Sequence, residues 1–410
     1  MVNSYYQAIF RSAIDKIKLE ERYRIFSEIK SYSASFPKVF HSRFNKEITL
    51  WCSNDYLGMS KHPIVIKALT KSASEVGIGS GGTRNISGNS SAIVELETVI
   101  SDLHDKESAL VFTSGYIANH ATLSIIGKII PDCVVFSDQF NHASIIHGVK
   151  ESKLEKCIFK HNDINDLREK MRQYPKNRPK LIVVEAVYLM TGDIAPLVEI
   201  CDIAKEYNAL TYLDEVHSVG LYGKEGAGIA NLMNVSEKID IIQGTLAKSY
   251  GVIGGYIAAT KEIVDTIRSY SPGFIFTTSL PPPIAEAANA SIAYLRSSEK
   301  ERENLFFVVS ELKKRLSMEG IDFVQNETHI VPIMIWNALK CRQVSEALLN
   351  DFGIYIQCIN FPTVPVGYER LRITPTPFHN KLMIEELCFA LKKVFEKLDV
   401  EYKKNSKIAI

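Results

Sequence analysis

Between residues 92 and 214, short apolar runs rich in β-branched residues alternate with amphipathic helical stretches. The spacing predicts a helix over 92–104, a strand over 109–113, a helix over 117–128, a strand over 134–136 and a helix from His142 to about Glu151. A strand over 157–159, helices over 163–173 and 196–208, and strands over 181–185 and 210–214 complete the run. A stretch such as Leu181-Ile-Val-Val184 has no polar face to offer water, so it belongs in a sheet covered on both sides. Parallel neighbours need a crossover long enough to hold a helix, so this alternation builds a mostly parallel sheet with helices on both faces. The fold class is α/β.

Ligands of such sheets gather beyond the carboxyl ends of the strands. Ser114-Gly-Tyr116, His142 and Asp214 each follow a predicted strand. So does Lys248, in the stretch Asp240-Ile-Ile-Gln-Gly-Thr-Leu-Ala-Lys-Ser-Tyr-Gly251, where Gly244 and Gly251 bracket the lysine. A lysine among small residues beyond a buried strand is partly desolvated, which favours the neutral amine that attacks a carbonyl. Ser114 and Gly115 open a helix, where free N–H groups and the helix dipole suit a phosphate. Pyridoxal phosphate requires a lysine for its aldehyde and an acid for its pyridine nitrogen, and Asp214 precedes Lys248 in the order such a site needs. A metal centre built from Asp214, His217 and His142 is the competing reading. No HExxH or HxxxH spacing supports it, and it leaves Lys248 unexplained.

The chain has 410 residues, 46% hydrophobic and 23% charged, which suits one large domain with a smaller one attached. A net charge of +1 gives no electrostatic argument for nucleic acid or an anionic membrane as partner. Seven cysteines lie scattered without a CxxC pair, which fits reduced thiols in a cytoplasmic enzyme rather than a disulfide framework. No apolar run has the length of a membrane span, and the first residues hold no signal-peptide core.

Residues 5–30 read as a helix ending in Glu21-Arg-Tyr-Arg24, where Arg24 is either a solvated charge or a clamp for a carboxylate. Gly77, Gly79 and Gly82 spell GxGxxG, but a helical pattern precedes them and Thr83-Arg-Asn-Ile86 is no helix start, so the dinucleotide reading fails. These glycines instead let the backbone approach a substrate closely. After an antiparallel strand over 255–259, a long helix from 283 to 318 is predicted to enter a smaller α+β domain. That domain has strands near 330–336, 354–358 and 370–374, helices over 341–351 and 380–396, and a frayed tail from Lys403. The expected division is a segment over 1–45, a large cofactor domain over 46–295 and a small C-terminal domain over 296–410.

Taken together, Trp51-Cys-Ser-Asn-Asp-Tyr-Leu-Gly58, Gly79-Ser-Gly-Gly-Thr-Arg-Asn-Ile86, Asp214-Glu-Val-His217, Gly244-Thr-Leu-Ala-Lys248 and Asn360-Phe-Pro-Thr-Val-Pro365 resemble one family over essentially the whole chain. It is the α-oxoamine synthase branch of the fold-type I, aspartate-aminotransferase-like transferases that use pyridoxal 5'-phosphate. The nearest likeness is to members that condense glycine with succinyl-CoA as homodimers with shared active sites. The resemblance implies that Lys248 holds the cofactor's aldehyde and moves the glycine α-proton, that Asp214 pairs with the pyridine nitrogen, and that His142 stacks on the ring. It places His217 and Thr245 near the phenolic oxygen, and Ser114, Gly115 and Tyr116 around the cofactor. Thr277 and Thr278 would reach the phosphate of the neighbouring subunit. Arg372 would hold the glycine carboxylate, with Asn54 close to the reacting groups. Arg24, Thr83, Asn85, Ile86, Ser137, Lys156 and Thr363 would form the succinyl-CoA site.

The chain departs from the family where Leu189 stands for a serine that bonds near the phenolic oxygen, and where Thr191 stands for an acid. Val366 and Tyr368 replace the usual arginine and threonine after Thr363. Two other readings therefore stay open: a sister acyltransferase of the 8-amino-7-oxononanoate synthase or glycine C-acetyltransferase kind, and a cofactor-binding paralogue without catalysis.

Overall fold

A computed structural model describes residues 3–20 and 22–401, so Glu21 and the tail from Lys403 lie outside the described residues. The chain forms two compact units. One comprises residues 54–189 and 193–303; the other comprises residues up to 53, 190–192 and those from 304 onward.

The first unit is built on a seven-stranded sheet. Its spatial order is Ser108–Phe112, Gly255–Ala259, Ile241–Thr245, Leu210–Asp214, Lys180–Glu185, Val134–Asp138 and Glu155–Phe159. Gly255–Ala259 runs antiparallel to both its neighbours, and the pairings from Ile241–Thr245 to Glu155–Phe159 are parallel. The chain thus goes outward to the edge strand Glu155–Phe159 and returns through Lys180–Glu185, which is the reversal that opens a crevice at strand ends. Leu110, Val135, Leu181, Val183, Tyr212, Ile241 and Ile257 from the strands pack with Ala118, Ala121 and Ile145 from the helices in one buried cluster. Each large aliphatic side chain of this kind contributes about 1.5–3 kcal/mol through removal from water. Helices begin where side chains satisfy their open N–H groups: Ser90, Ser114, Asp163 and Thr260 each accept from a backbone N–H of the first turn.

The second unit holds two small sheets. Val331–Met334, Arg370–Ile373 and Cys358–Ile359 pair antiparallel in that order. Ile29–Lys30, Lys38–His41, Lys46–Leu50 and Ile354–Tyr355 form the other, in which the last pairing is parallel and ties the N-terminal strands to the C-terminal part of the chain. Helices Ala338–Phe352 and Lys381–Lys397 bury apolar faces of their own, with Val344 and Leu348 on the first and Leu387 and Leu391 on the second. Among the described residues no helix is long and apolar enough to cross a membrane.

Three helical expectations are corrected. The N-terminal helix ends early, at Ser4–Leu19, and Arg24 lies in an irregular segment leading to the strand Ile29–Lys30. The expected helix over 283–318 is two, Pro282–Ser297 and Lys300–Met318, because Ser298 turns extended and its hydroxyl donates to Glu301 at 2.8 Å. The expected helix over 117–128 starts two residues sooner, at the Ser114 cap, and breaks into Gly115–Leu123 and Ile126–Ile129.

Candidate active site

Asp214 ends the strand Leu210–Asp214 and is buried. Its Oδ2 accepts from the Asn119 amide at 2.7 Å and its Oδ1 from the Val216 N–H at 2.9 Å. Burial pushes its carboxyl above the ordinary value; these two donors, then the charges of His142 and Lys248, pull it back. Asn119 is held in turn, with its Oδ1 accepting from Tyr212 at 2.7 Å. Lys248 is half-buried, in the turn after Ile241–Thr245, and its carbonyl accepts from Gly251 at 2.9 Å. Its charge bears on Asp214, Glu185 and His142 alike, so the four groups share one electrostatic neighbourhood.

His142 caps the helix Ala143–Glu151, its Nδ1 facing the Ser144 hydroxyl at 2.7 Å. Its backbone N–H donates to Glu185 Oε1 at 2.6 Å. The ring has an open face in the single chain, yet the density of atoms behind it pushes the imidazole below its ordinary value, Lys248 adding and Asp214 opposing. His217 is buried, 2.7 Å from Tyr56 Oη, and Tyr56 also reaches Asn54 Oδ1 at 3.4 Å.

The helix start at Ser114 is a tight cradle. Ser114 Oγ takes the Ile117 N–H, which leaves the N–H groups of Gly115 and Tyr116 at the open end. A Cβ on Gly255 would fall 2.3 Å from the Gly115 nitrogen, so only glycine lets that strand pass so close. Thr245 lies on the same side, its hydroxyl donating to the Gly254 carbonyl at 3.0 Å. The donor set fits pyridoxal phosphate: an acid fixed by two donors for the ring nitrogen, a lysine in charge range, and free N–H groups at a helix start for the phosphate.

The segment 83–88 is fixed by Arg84, which forms two parallel bonds to Glu97 at 2.8 and 2.9 Å. Thr83 is half-buried there, while Asn85 and Ile86 are exposed. Thr277 and Thr278 follow the short helix Pro272–Ile275 and line a small cleft with Arg84 and Phe274. The next residue, Ser279, bonds the carbonyls of Gly82 and Gly88, at 3.2 and 2.7 Å. Two further expected substrate residues lie on strands of the same sheet. The Ser137 hydroxyl is buried and accepts from Asn141 at 2.8 Å, and Lys156 is exposed on the edge strand, three strands from Asp214.

In the other unit Arg24 and Thr363, distant in sequence, meet by a 2.9 Å bond from Nη2 to Oγ1. Arg372 is buried in the strand Arg370–Ile373, paired with Pro332. Leu189 is half-buried beside the Tyr188 N–H, which donates to the Asp193 carbonyl at 3.0 Å. Sequence reasoning missed Glu185, Asn119 and Tyr56. Glu185 had a signal, an acid ending an otherwise apolar strand, and Tyr56 lies within the Trp51–Gly58 motif that carries the family resemblance.

A family model described as aminotransferase class I and II matches residues 46–391. A 5-aminolevulinate synthase from Rickettsia felis is 54% identical over 97% of this chain and 96% of its own length. One from Bradyrhizobium diazoefficiens is 48% identical over 98% of each. Among solved structures, a serine palmitoyltransferase from S. paucimobilis with a pyridoxal phosphate adduct superposes with a TM-score of 0.87 at 28% identity, over 97% of this chain and 99% of that one. An 8-amino-7-oxononanoate synthase from Francisella tularensis, 24% identical with a TM-score of 0.72 over 86% of this chain and 98% of that one, shares the fold.

Proposed function

The chain belongs to the aminotransferase class I and II family and, within it, to the 5-aminolevulinate synthases; on that premise we propose that it condenses glycine with succinyl-CoA. The products are 5-aminolevulinate, coenzyme A and carbon dioxide, and the reaction opens haem and tetrapyrrole synthesis. Pyridoxal phosphate is its cofactor and supplies, when bound, an electron sink for the charge that develops on the amino-acid α-carbon.

The residues divide the work as follows. Asp214 would pair with the ring nitrogen, and the bonds from Asn119 and Val216 to its two oxygens favour its charged form against the burial that raises its carboxyl. Lys248 anchors the aldehyde and carries the α-proton of glycine. The N–H groups of Gly115 and Tyr116 would hold the phosphate, the His142 ring would cover one face of the cofactor, and His217, oriented by Tyr56, would serve the phenolic oxygen. Thr245 lines the same edge. Arg372 takes the glycine carboxylate, a planar two-point pair for a guanidinium. Arg24, its fork oriented by Thr363, takes the distal carboxylate of the succinyl group. Thr277 and Thr278 serve the phosphate of a second subunit, which makes the working enzyme a homodimer, and the compartment is the cytoplasm.

One observation carries this reading: Asp214, the turn that holds Lys248 and the Ser114 helix start all lie at the carboxyl ends of strands of one sheet, with Asp214 fixed there by Asn119. The test is coenzyme A release by purified protein given glycine and a panel of acyl-CoAs. Succinyl-CoA is expected to lead the panel, and Lys248→Ala to abolish turnover. Arg24→Leu, which removes one partner of a charge-assisted pair worth about 1.5–3 kcal/mol, is expected to raise KM for succinyl-CoA roughly tenfold or more. Equal use of acetyl-CoA by the unaltered protein would move it to the sister acyltransferases instead.

A further inference from the structure

The helices Gly115–Leu123 and Ala143–Glu151 pack side by side. Beyond their capped starts, three side chains of the metal-binding kind meet. His120 Nε2 lies 2.7 Å from Glu151 Oε2, and His147 Nε2 lies 3.4 Å from Glu151 Oε1. The two imidazole centroids are 4.5 Å apart, and one candidate ligand atom from each residue lies within 4.8 Å of the others. His147 and Glu151 are one turn apart on a single helix and so share a face. Tyr116 Oη, 3.0 Å from His147 Nδ1, occupies that nitrogen and leaves Nε2 for the centre of the group.

We propose that His120, His147 and Glu151 bind a divalent transition ion of the zinc class, with water completing the coordination. Zinc bonds of about 2.0–2.2 Å to nitrogen and oxygen put neighbouring ligand atoms about 3.3 Å apart in a tetrahedron. Two separations, 2.7 and 3.4 Å to the two Glu151 oxygens, lie on either side of that value and all three ligand atoms lie within 4.8 Å of one another, so the site closes by side-chain rotation. Two imidazoles and one carboxylate favour zinc, cobalt, nickel or cupric ions over magnesium and calcium, which take oxygen ligands. The side chains of His147 and Glu151 are 45% and 48% exposed, so an ion enters directly from solvent. This site is distinct from the Lys248–Asp214 cluster, and Tyr116, one of the residues assigned to the cofactor, supplies its outer hydrogen bond. The arrangement is invisible in sequence spacing, because His120 comes from another helix.

The full-length, cofactor-loaded protein, stripped with a chelator and passed through gel filtration, is titrated with zinc chloride and its metal content measured. One ion per chain is expected to be retained through this site, and cobalt in its place to give the visible bands of a four-coordinate ion. Removing even an outer hydrogen-bond partner costs about 10- to 100-fold in metal affinity, so His147→Gln or Glu151→Gln is expected to lose at least that much. The double variant H120Q/H147Q is expected to lose the ion altogether, with circular dichroism unchanged. Equal zinc content and affinity in wild type and the double variant would overturn the site and reduce the cluster to a surface ion pair. Retention of wild-type affinity by Glu151→Gln would overturn it independently.

Discussion

Glu185 and Asp214 end neighbouring strands and face each other in the parallel register, so two carboxylic acids share one dry corner. Burial first, and the Asp214 charge next, raise the Glu185 carboxyl well above its ordinary value. Asp214 has two close donors and Glu185 one, so Glu185 is the acid that holds a proton. A carboxyl raised in the folded state leaves stability untouched below its unfolded value of about 4.3 and lowers it progressively above that pH. Glu185→Gln, a neutral mimic that still accepts the His142 N–H, is therefore expected to melt at or above wild type near neutral pH, with the gain vanishing below about pH 4. Glu185→Ala leaves that N–H unsatisfied and is expected to lose about 2–4 kcal/mol. Paired melts across pH decide the matter, since equal losses in both variants would mean that Glu185 is needed as an anion. Leu189 is the second residue to probe. If a hydroxyl at this position reaches the cofactor's phenolic oxygen, the regained bond is worth about 0.5–2 kcal/mol. Leu189→Ser is then expected to raise kcat/KM by about two- to thirtyfold. A lower melting temperature with no gain in rate would show that the neighbours of Leu189 have already adapted to it.

At the level of elements, His161 clamps three of them. It follows the edge strand Glu155–Phe159, and its two nitrogens face Asp138 Oδ1 at 2.9 Å and Asp193 Oδ2 at 2.5 Å. Phe140 stacks on its ring at 4.5 Å and Tyr188 meets it edge-on at 4.4 Å. Burial opposes the charge, but hydrogen bonds and attraction to both aspartates outweigh it and raise the imidazole to about 9. A group raised from about 6.5 in the unfolded chain contributes its full stability below that pH and loses it as pH climbs through 9. His161→Gln is thus expected to cost about 2–3 kcal/mol at pH 6, partly discounted because Asp193 is a third exposed, and to approach wild type by pH 9.5. A gap that stays constant over this range would mean packing alone holds the clamp. Elements of this kind were only partly legible in the sequence. Strand–helix alternation predicted the sheet, and with it the positions of Ser114, His142, Asp214 and Lys248, because a residue just past a parallel strand has one place to be. The break at Ser298 was missed although the sequence carries a signal for it, since Ser298-Glu-Lys-Glu301 is a helix-start pattern within a run, 296–304, that holds no apolar residue. The family resemblance, not any local pattern, put Arg24 and Thr363 in one site, and the pairing of Lys46–Leu50 with Ile354–Tyr355 was not foreseen at all, because no local pattern encodes partners so far apart in sequence. Asn119 was hidden for another reason: only the phase of its helix, fixed by the Ser114 cap, turns it toward Asp214.

Across the whole molecule, the groups assigned to the cofactor ring and phosphate all come from the unit built of residues 54–189 and 193–303. A ligand stabilises what it binds by mass action, about 2.7 kcal/mol at one hundred times its Kd. Local opening within a protein is graded, so this stabilisation is read where opening breaks ligand contacts. Pyridoxal phosphate added to apoprotein is therefore expected to slow amide exchange about a hundredfold in Gly115–Leu123, Ala143–Glu151 and Leu210–Asp214, whose ends carry the cradle, His142 and Asp214. The strands Val331–Met334 and Cys358–Ile359 of the other unit are expected to respond far less to the cofactor alone. Adding glycine should then extend protection into Arg370–Ile373, because Arg372 is the proposed carboxylate partner. Exchange measured by mass spectrometry on the apo, cofactor-loaded and glycine-saturated protein separates these steps. Uniform slowing in both units on cofactor addition would mean that they open as one cooperative body. An unchanged Arg370–Ile373 segment after glycine would take Arg372 out of substrate binding while leaving the cofactor assignment intact.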